Sequence, residues 1–312
     1  MDLLPGPAEE AALDALRPFL AAHLGVENWE ARLREGRPVA SALVDDAAAA
    51  GVFTPTTTGT EVLVLAELGR HLAPIDLFAT TLATAPSSTA DGIVTAALAV
   101  PRPAATGGAD HVVFGPPDAA LVVVWSESGI SLADAASVTI TEMVECLDPT
   151  TPMAFAALES SESLPPEVTA RAELLVAAMH VGLAQGARDM AVAYAKERIQ
   201  FDRPIGANQA VKHLCADTAT RAEAAWASLL YATASTTAGR ADASFQRAVA
   251  GRVAADAARR NARANIQIHG GRGYTYDCAA HLFLTRAQVL EQISGGPRRQ
   301  QRQLLAEAPL VG

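Results

Sequence analysis

The sequence has few cysteines, few aromatic residues and no long apolar run among its 312 residues. Its cysteines, Cys146, Cys215 and Cys278, lie far apart, without the Cys/Cys or Cys/His spacing that a structural zinc site needs. We expect free thiols in a reducing compartment and no bound metal. No apolar run approaches the roughly 18 residues of a membrane span, and the N-terminus is acidic where a secretory signal is basic. The sequence thus predicts a soluble, cytoplasmic protein with no membrane contact.

The charge balance excludes another class of partner. The chain carries 24 basic and 34 acidic residues, a formal net charge of -10, so a nucleic-acid backbone would repel most of its surface. Hydrophobic residues make up 50% of the chain, enough to bury a substantial core. We therefore expect a globular protein that binds no nucleic acid.

Helical patterns fill the N-terminal part of the chain. Leu13, Leu16 and Leu20 recur at helical spacing, and acidic residues in the first turn suit the helix dipole. Breaks at glycine and proline separate this segment from three further helical patterns. The sequence predicts a helical domain over residues 1–85, with helices at 7–24, 40–50, 61–72 and 75–85.

The composition changes after Pro86, where Val, Thr, Gly and Pro become frequent. Residues 111–114 and 121–125 favour strands, and turns rich in glycine and proline separate such segments. We expect a small β domain over residues 86–158. The polar, proline-bearing stretch that follows, up to Pro166, is typical of a linker.

Long helical patterns dominate the rest of the chain. Helices of ~27 residues or more joined by short loops indicate an up-and-down bundle, and frequent alanine allows close helix approach. The predicted fold class is mainly α with a small β domain, and residues 159–312 form a C-terminal four-helix bundle. The predicted helices cover residues 167–199, 209–237, 241–268, 281–292 and 298–306.

Two segments of this bundle combine residues that could bind a dinucleotide. Arg198 ends a long helix and can present a guanidinium fork to a diphosphate, while Gln200 offers uncharged hydrogen bonds and Phe201 an aromatic face. Gly270 and Gly271 lack Cβ atoms, so their backbone amides can approach phosphates. Each feature alone has a structural explanation: a helix-end cation, a core aromatic or a helix C-cap.

Three histidines near these segments show no spacing typical of metal ligands. We interpret them as solvated or hydrogen-bonded structural residues. They are His213, His269 and His281.

The same two segments resemble a known family. The stretch from Glu197 to His213, with its core Arg-Ile-Gln-Phe-Asp-Arg-Pro-Ile-Gly, is similar to a signature of acyl-CoA dehydrogenases. So is Gln-Ile-His-Gly-Gly-Arg-Gly-Tyr-Thr from Gln267 to Thr275. Both lie in the family's order within residues 165–308, and residues 65–74 resemble the family's N-terminal helical domain. The resemblance implies the acyl-CoA dehydrogenase fold.

It also implies a cofactor site shared between chains. In the family, residues at the matching positions contact the ADP part of FAD, which a neighbouring subunit mainly holds. The positions in this sequence are Arg198, Gln200, Phe201, Gln209, Gln267, Gly270 and Gly271.

The sequence departs from the family where the chemistry occurs. Family members need a carboxylate base that removes a proton beside the thioester carbonyl, while hydride passes to the flavin. Ser294 stands at the usual position of this base, and Ala172 at a second position used by some members. We assign no catalytic base, because the nearest carboxylates are displaced from these positions, and an offset of one helical residue turns a side chain by ~100°. They are Glu173, Glu291 and Asp277.

Residues 86–158 also lack the family's two segments that cover the flavin ring and the acyl chain, so this domain is reduced. A chain with the ADP clamp but without ring-binding loop and base resembles the smaller subunit of heteromeric acyl-CoA dehydrogenases of steroid side-chain degradation. That resemblance implies an α2β2 assembly with a second, catalytic subunit. It also implies an acyl-CoA substrate with room for a bulky ring system. An electron-transferring flavoprotein would be the acceptor.

Two alternatives remain open from the sequence. One is a homotetrameric dehydrogenase whose base has moved to Glu173 or Glu291. The other is a scaffold or acyl-CoA-binding protein that holds no flavin. Flavin content of the chain purified alone and with its partner separates the three.

Overall fold

The computed structural model describes residues 6–36, 43–53, 57–84, 93–102 and 108–307. It confirms the predicted fold class, because helices dominate and a single small domain contains the main sheet. The N-terminal helices match the predicted segments except for α2, which the sequence analysis missed. Parts of two predicted helices, residues 40–42 and 85, lie outside the described residues. The helices are α1 (Pro7–His23), α2 (Val26–Glu35), α3 (Leu43–Ala49), α4 (Thr58–Arg70) and α5 (Ile75–Thr84).

Seven strands form a mixed sheet in the order β5-β6-β2-β1-β3-β4-β7. Only β1 and β3 pair in parallel among the described strands of this sheet. Alternate residues face opposite sides: Val123 packs on the helical core, whereas Val122 and Val124 belong to a second apolar cluster. The strands are β1 (Ala96–Pro101), β2 (His111–Phe114), β3 (Leu121–Ser126), β4 (Gly129–Asp134), β5 (Val138–Val144), β6 (Met153–Leu158) and β7 (Glu162–Ser163).

The last of these strands lies in the segment interpreted as a linker. Ser163 of β7 pairs with Ser131 of β4, so this polar stretch forms one edge of the sheet. Its residues are exposed, which explains why it shows no apolar strand pattern.

The C-terminal part consists of long helices that match the predicted segments to within two residues. The longest, α6, packs on α4 through glycines. A Cβ at Gly182 would lie 1.9 Å from the Ala66 carbonyl oxygen, and one at Gly69 would lie 2.3 Å from the Met179 carbonyl oxygen. The helix backbones therefore touch directly. These helices are α6 (Pro166–Glu197), α7 (Gln209–Thr237), α8 (Ala243–His269), α9 (Ala280–Ile293) and α10 (Gly296–Glu307).

A buried ion pair joins the bundle to the other two parts of the chain. Arg286 on α9 donates to Asp148, in the β5–β6 connection, and to the carbonyl of Ala73, between α4 and α5. Burial alone would raise the pKa of the Asp148 carboxyl, but the adjacent Arg286 guanidinium outweighs it and holds this pKa below its usual value. Nearby, burial raises the pKa of Asp76 to about 6.

The described residues contain neither a membrane-spanning helix nor a metal-binding cluster. None of the described helices combines the length and the apolar character that crossing a bilayer demands. Within the same ranges, no group of three or more His, Cys, Asp and Glu side chains is placed to hold a metal ion. The three cysteines are free thiols.

Candidate functional site

The end of α6 leads into a small hairpin that carries three of the predicted site residues. Arg198 follows the last helical residue, and its backbone N–H donates to the Tyr194 carbonyl at 2.9 Å. Two short strands follow, β8 (Ile199–Gln200) and β9 (Arg203–Pro204), which pair antiparallel. The hairpin loop consists of two residues with positive φ, 52° at Phe201 and 64° at Asp202, as a type I′ turn requires.

This turn holds an aromatic residue in an unfavourable position. Positive φ is an outlier for a bulky side chain, and such backbone conformations concentrate at functional sites. The Phe201 side chain is 92% exposed, so it contributes nothing to the core of the chain. The alternative interpretation of Phe201 as a core aromatic is therefore wrong.

The hairpin is held firmly against the bundle. The Ile205 N–H donates to the Arg198 carbonyl at 2.9 Å, and Arg203 Nη2 donates to Asn208 Oδ1 at 3.1 Å. A Cβ at Gly206 would lie 2.9 Å from the Ala195 carbonyl oxygen, so glycine permits close approach to α6. Gln209 then starts α7 as an exposed residue.

A glycine turn ends α8. Gly270 has φ 60° and ψ -137°, a conformation that is essentially restricted to glycine. A Cβ at Gly270 or Gly271 would meet nothing within 4 Å, so both backbones face open space. Gln267, one turn earlier, is exposed. By contrast, a Cβ at Gly273 would lie 2.5 Å from the Ile266 carbonyl oxygen, so the turn is packed at that residue.

Packing between α6 and α8 brings the hairpin and the glycine turn to the same end of the bundle. The Tyr194 and His269 rings stack at 4.1 Å between centroids, and Ile268 packs against Ala191 and Ala195. Burial lowers the pKa of His269, whose Nδ1 lies 2.9 Å from the Asn265 carbonyl oxygen. His269 is thus a structural residue that joins the two segments.

The side chains on this surface are available to a ligand. Arg198 is exposed, and no side chain in the described part of the structure pairs with its guanidinium. The Gln200 side-chain amide donates only to the Ile199 carbonyl, at 2.8 Å. We refer to the surface formed by the seven predicted site residues as the clamp surface. A cation, amides and open glycine backbones are groups that bind a diphosphate.

Ser294 lies elsewhere, at a narrow, partly open cavity between β3, α6, α8 and α10. The cavity has a volume of about 30 Å³, which holds one or two water molecules but no acyl chain. Its wall includes Ser294 and Glu173 together with three residues that sequence reasoning did not single out. These are Trp125, Arg247 and Gln300.

Polar contacts narrow this cavity. Glu173 accepts from Arg247 Nε at 2.9 Å and from Gln303 Nε2 at 2.9 Å. Gln300 Nε2 lies 3.4 Å from Ser294 Oγ. Both glutamines belong to α10, so this helix covers the position where the family carries its base. The cavity adjoins an open groove of about 550 Å³ between the β3–β4 turn and α10, and Glu173, Arg247 and Gln303 line both.

The structure also locates the carboxylates considered as a base. The expectation that Glu173 turns away from the Ser294 position is wrong, because both residues line the same cavity. Ala172 is fully buried. Glu291 is 4% exposed and lies 3.4 Å from Arg259, outside the cavity wall, and Asp277 is exposed on the surface.

Comparisons with known proteins agree with this architecture. Residues 169–310 match the model of the acyl-CoA dehydrogenase C-terminal domain. Acyl-CoA dehydrogenase IpdE2 of Mycobacterium tuberculosis is 34% identical over 255 residues, which cover 78% of this chain and 76% of that protein. Acyl-CoA dehydrogenase FadE34 of the same organism is 33% identical over 317 residues, covering 96% of this chain. The chain spans only 43% of the length of FadE34.

Solved structures show the same fold over the whole chain. A chain of the ChsE4-ChsE5 complex from Mycobacterium tuberculosis has a TM-score of 0.80 at 21% identity, covering 99% of this chain and 100% of that one. A variant of the Tcur3481-Tcur3483 steroid acyl-CoA dehydrogenase has a TM-score of 0.76 at 23% identity, covering 96% and 97%. With the IpdE2 match, these findings establish that the chain belongs to the acyl-CoA dehydrogenase family.

Proposed function

We propose that this chain is a subunit of a heteromeric FAD-dependent acyl-CoA dehydrogenase and that it completes the FAD site of a catalytic partner. The proposal rests on the contrast between the clamp surface and the position of the base. The clamp surface is open and unpaired, whereas the position of the base holds a serine in a narrow cavity of about 30 Å³. The chain therefore serves the partner's cofactor and contributes no base.

The clamp surface fits the ADP part of FAD. Arg198 offers a bidentate contact to the diphosphate, Gly270 and Gly271 leave room for it beside their amides, and exposed Phe201 provides a ring that can stack. Gln200, Gln209 and Gln267 add uncharged hydrogen bonds. A flavin held there would supply the chemistry of hydride acceptance from the β carbon of the thioester. The residues of this chain bind and orient the nucleotide end.

The narrow cavity supports placing the base in the other chain. Glu173 is the one carboxylate in the cavity wall, and its two oxygens accept from Arg247 and Gln303. Both carboxylate oxygens of Glu173 are therefore already engaged by side chains of the same chain. At about 30 Å³ the cavity also has no space for a flavin ring and a thioester.

The choice of partner and substrate follows the relatives. ChsE4-ChsE5 is a complex of two chains, and Tcur3481-Tcur3483 is a steroid acyl-CoA dehydrogenase. By analogy we propose an α2β2 assembly that dehydrogenates the α,β bond of an acyl-CoA, with a steroid side-chain thioester as the substrate class. An electron-transferring flavoprotein would reoxidise the flavin.

A homotetrameric enzyme with a relocated base is the second candidate. It is favoured by one observation, the presence of Glu173 in the same cavity as Ser294. It requires that Glu173 leave Arg247, with which it pairs at 2.9 Å. The third possibility, a scaffold without flavin, predicts no flavin under any condition.

Co-expression separates the three. The chain is produced alone and with an acyl-CoA dehydrogenase-like chain encoded beside it, and flavin absorbance, assembly mass and dehydrogenase activity are measured. We expect flavin and activity only in the co-expressed complex. A yellow, active homo-oligomer of this chain would refute the proposal in favour of the second candidate, and a colourless complex would favour the scaffold.

Arg198→Ala tests the clamp surface within that complex. Loss of a charge-assisted contact worth about 1.5–3 kcal/mol should weaken FAD binding roughly 10- to 150-fold. Arg198→Lys should restore only part of the affinity, because an ammonium cannot bind bidentately. Arg240→Ala, an exposed arginine beyond the other end of α7, is the matched control. Equal FAD affinity in the Arg198→Ala and Arg240→Ala complexes would count against the clamp.

A further inference from the structure

We infer that Glu30, on the N-terminal helix α2, is a positioning residue that holds the Gly270–Gly271 turn in its ligand-ready conformation. The inference rests on the proposed function of the clamp surface. It assigns a role in that surface to an N-terminal helix and to Arg272.

The contacts start from a firmly docked helix. Trp29 is 1% exposed, and its Nε1 donates to the His71 carbonyl at 3.0 Å, which fixes α2 beside the end of α4. The next residue, Glu30, points towards the glycine segment, and its side chain is 16% exposed. Its carboxylate accepts from Arg272 Nη2 at 3.3 Å and from the Ala279 N–H at 3.4 Å. One side chain therefore holds both ends of the segment between α8 and α9.

The glycine segment has few other anchors. Tyr274 and Tyr276 are 74% and 75% exposed, so its large side chains pack little against the chain. A Cβ added at Gly270 or Gly271 would meet nothing within 4 Å. Besides the packing at Gly273 and the buried Cys278, the two contacts to Glu30 hold the turn in place. If the two glycines were free to move, the clamp surface would bind its ligand more weakly, because binding would have to order them at a cost in entropy.

The ion pair also defines what Arg272 does. Arg272 follows Gly271 directly and is 54% exposed, yet its Nη2 is engaged by Glu30. We therefore assign Arg272 to anchoring the turn, while the diphosphate contact belongs to Arg198. Glu30 and Arg272 should behave as one unit in mutagenesis.

The test combines two measurements on the full chain. Glu30→Ala, Arg272→Ala, the double variant and Glu30→Gln are compared with Glu27→Ala, an exposed glutamate on the same helix. Hydrogen exchange of the chain alone reports the segment, and we expect Glu30→Ala to speed exchange at the Ala279 amide roughly tenfold. Glu30→Gln keeps the acceptor oxygen and should stay close to the wild type.

The second measurement is flavin release from the co-expressed complex. Glu30→Ala and Arg272→Ala should each release FAD roughly tenfold faster, with the double variant no worse than the more affected single one. The thermal midpoint of the chain should change little, which separates positioning from general destabilisation. Additive effects of the two substitutions would overturn the coupled role.

The outcomes distinguish this inference from the proposed function. A flavin-loaded wild-type complex whose Glu30→Ala variant retains flavin equally well overturns the positioning role alone. Unchanged exchange at Ala279 overturns the anchor itself. A wild-type complex without flavin overturns the proposed function, and the positioning role with it.

Discussion

Replacing Gly271 by alanine should separate folding from cofactor binding in this chain. Gly271 has no positive φ, and an added Cβ would meet nothing within 4 Å. The isolated chain should therefore accept the substitution without strain or clash. In the complex, however, the methyl group would occupy the space through which the backbone amide approaches the diphosphate.

The neighbouring glycine gives the contrasting case. Alanine at Gly270 meets no atoms either, but the φ of 60° and ψ of -137° would be strained by about 1–3 kcal/mol. For a chain of this size such a loss lowers the thermal midpoint by about 2–6 °C. For Gly271→Ala we expect a midpoint within ~1 °C of the wild type, since surface changes without contacts alter stability little.

Thermal unfolding of each variant alone measures its stability, and FAD titration of each complex measures its affinity for the cofactor. Gly271→Ala should lose at least one hydrogen bond to the diphosphate, which weakens FAD binding roughly 10- to 150-fold. A Gly271→Ala complex with wild-type FAD affinity would refute the assignment of this turn to the cofactor. A large fall in its thermal midpoint would instead show that the turn is packed in solution.

Two further predictions concern stability. Asp76→Asn should stabilise the chain at pH 8 by on the order of 2–3 kcal/mol and have little effect at pH 4, measured as thermal midpoints. The reason is that the folded pKa of Asp76 is raised from 3.8 to about 6, so wild-type stability falls as pH rises through this window; a gain equal at both pH values would contradict it. Gly182→Ala should cost about 3 kcal/mol or more in denaturant unfolding, because its Cβ would lie 1.9 Å from the Ala66 carbonyl oxygen. Gly251→Ala, whose Cβ meets nothing within 4 Å, should instead stabilise α8 by about 0.5–1 kcal/mol, and equal effects of the two would disprove the close packing of α6 on α4.

Long periodic segments made most of the fold predictable. The helices α6, α7 and α8 bury alanines and leucines at regular spacing, and their predicted ends differ from the observed ones by at most two residues. The helix α2 was not predicted because it lacks a periodic apolar pattern. Trp29 is its one buried residue, and the remaining positions are mostly charged or polar. Strand β7 is exposed at the sheet edge, so nothing apolar marks it.

The candidate site divides in the same way. The clamp residues lie in two continuous motifs, and the sequence placed both at helix ends, where the structure has them. The orientation of Glu173 was mispredicted. The angle between neighbouring residues of one helix does not show where a cavity between four elements opens. On the opposite side of that cavity, Gln300 of α10 contacts Ser294 and Gln303 contacts Glu173. Because Gln303 lies more than a hundred residues after Glu173, no local sequence pattern indicates its contact. Glu30 is equally remote from the glycine turn.

Under the proposed function, the clamp surface and the narrow cavity would give this chain a role in cofactor binding without a base of its own. The end of the bundle that carries Arg198 has an exposed Phe201 and open glycine backbones at its surface. The position that would hold the chemistry is filled by polar side chains of the same chain. Cofactor binding and catalysis are thus divided between unlike subunits in this account.

Flavin stoichiometry tests that division most directly. The complex of this chain with its co-encoded partner is purified, its mass is measured in solution, and released FAD is counted against each chain. The account predicts one FAD for each pair of unlike chains and none on this chain alone. One FAD for every copy of this chain, in an active homo-oligomer, would contradict it.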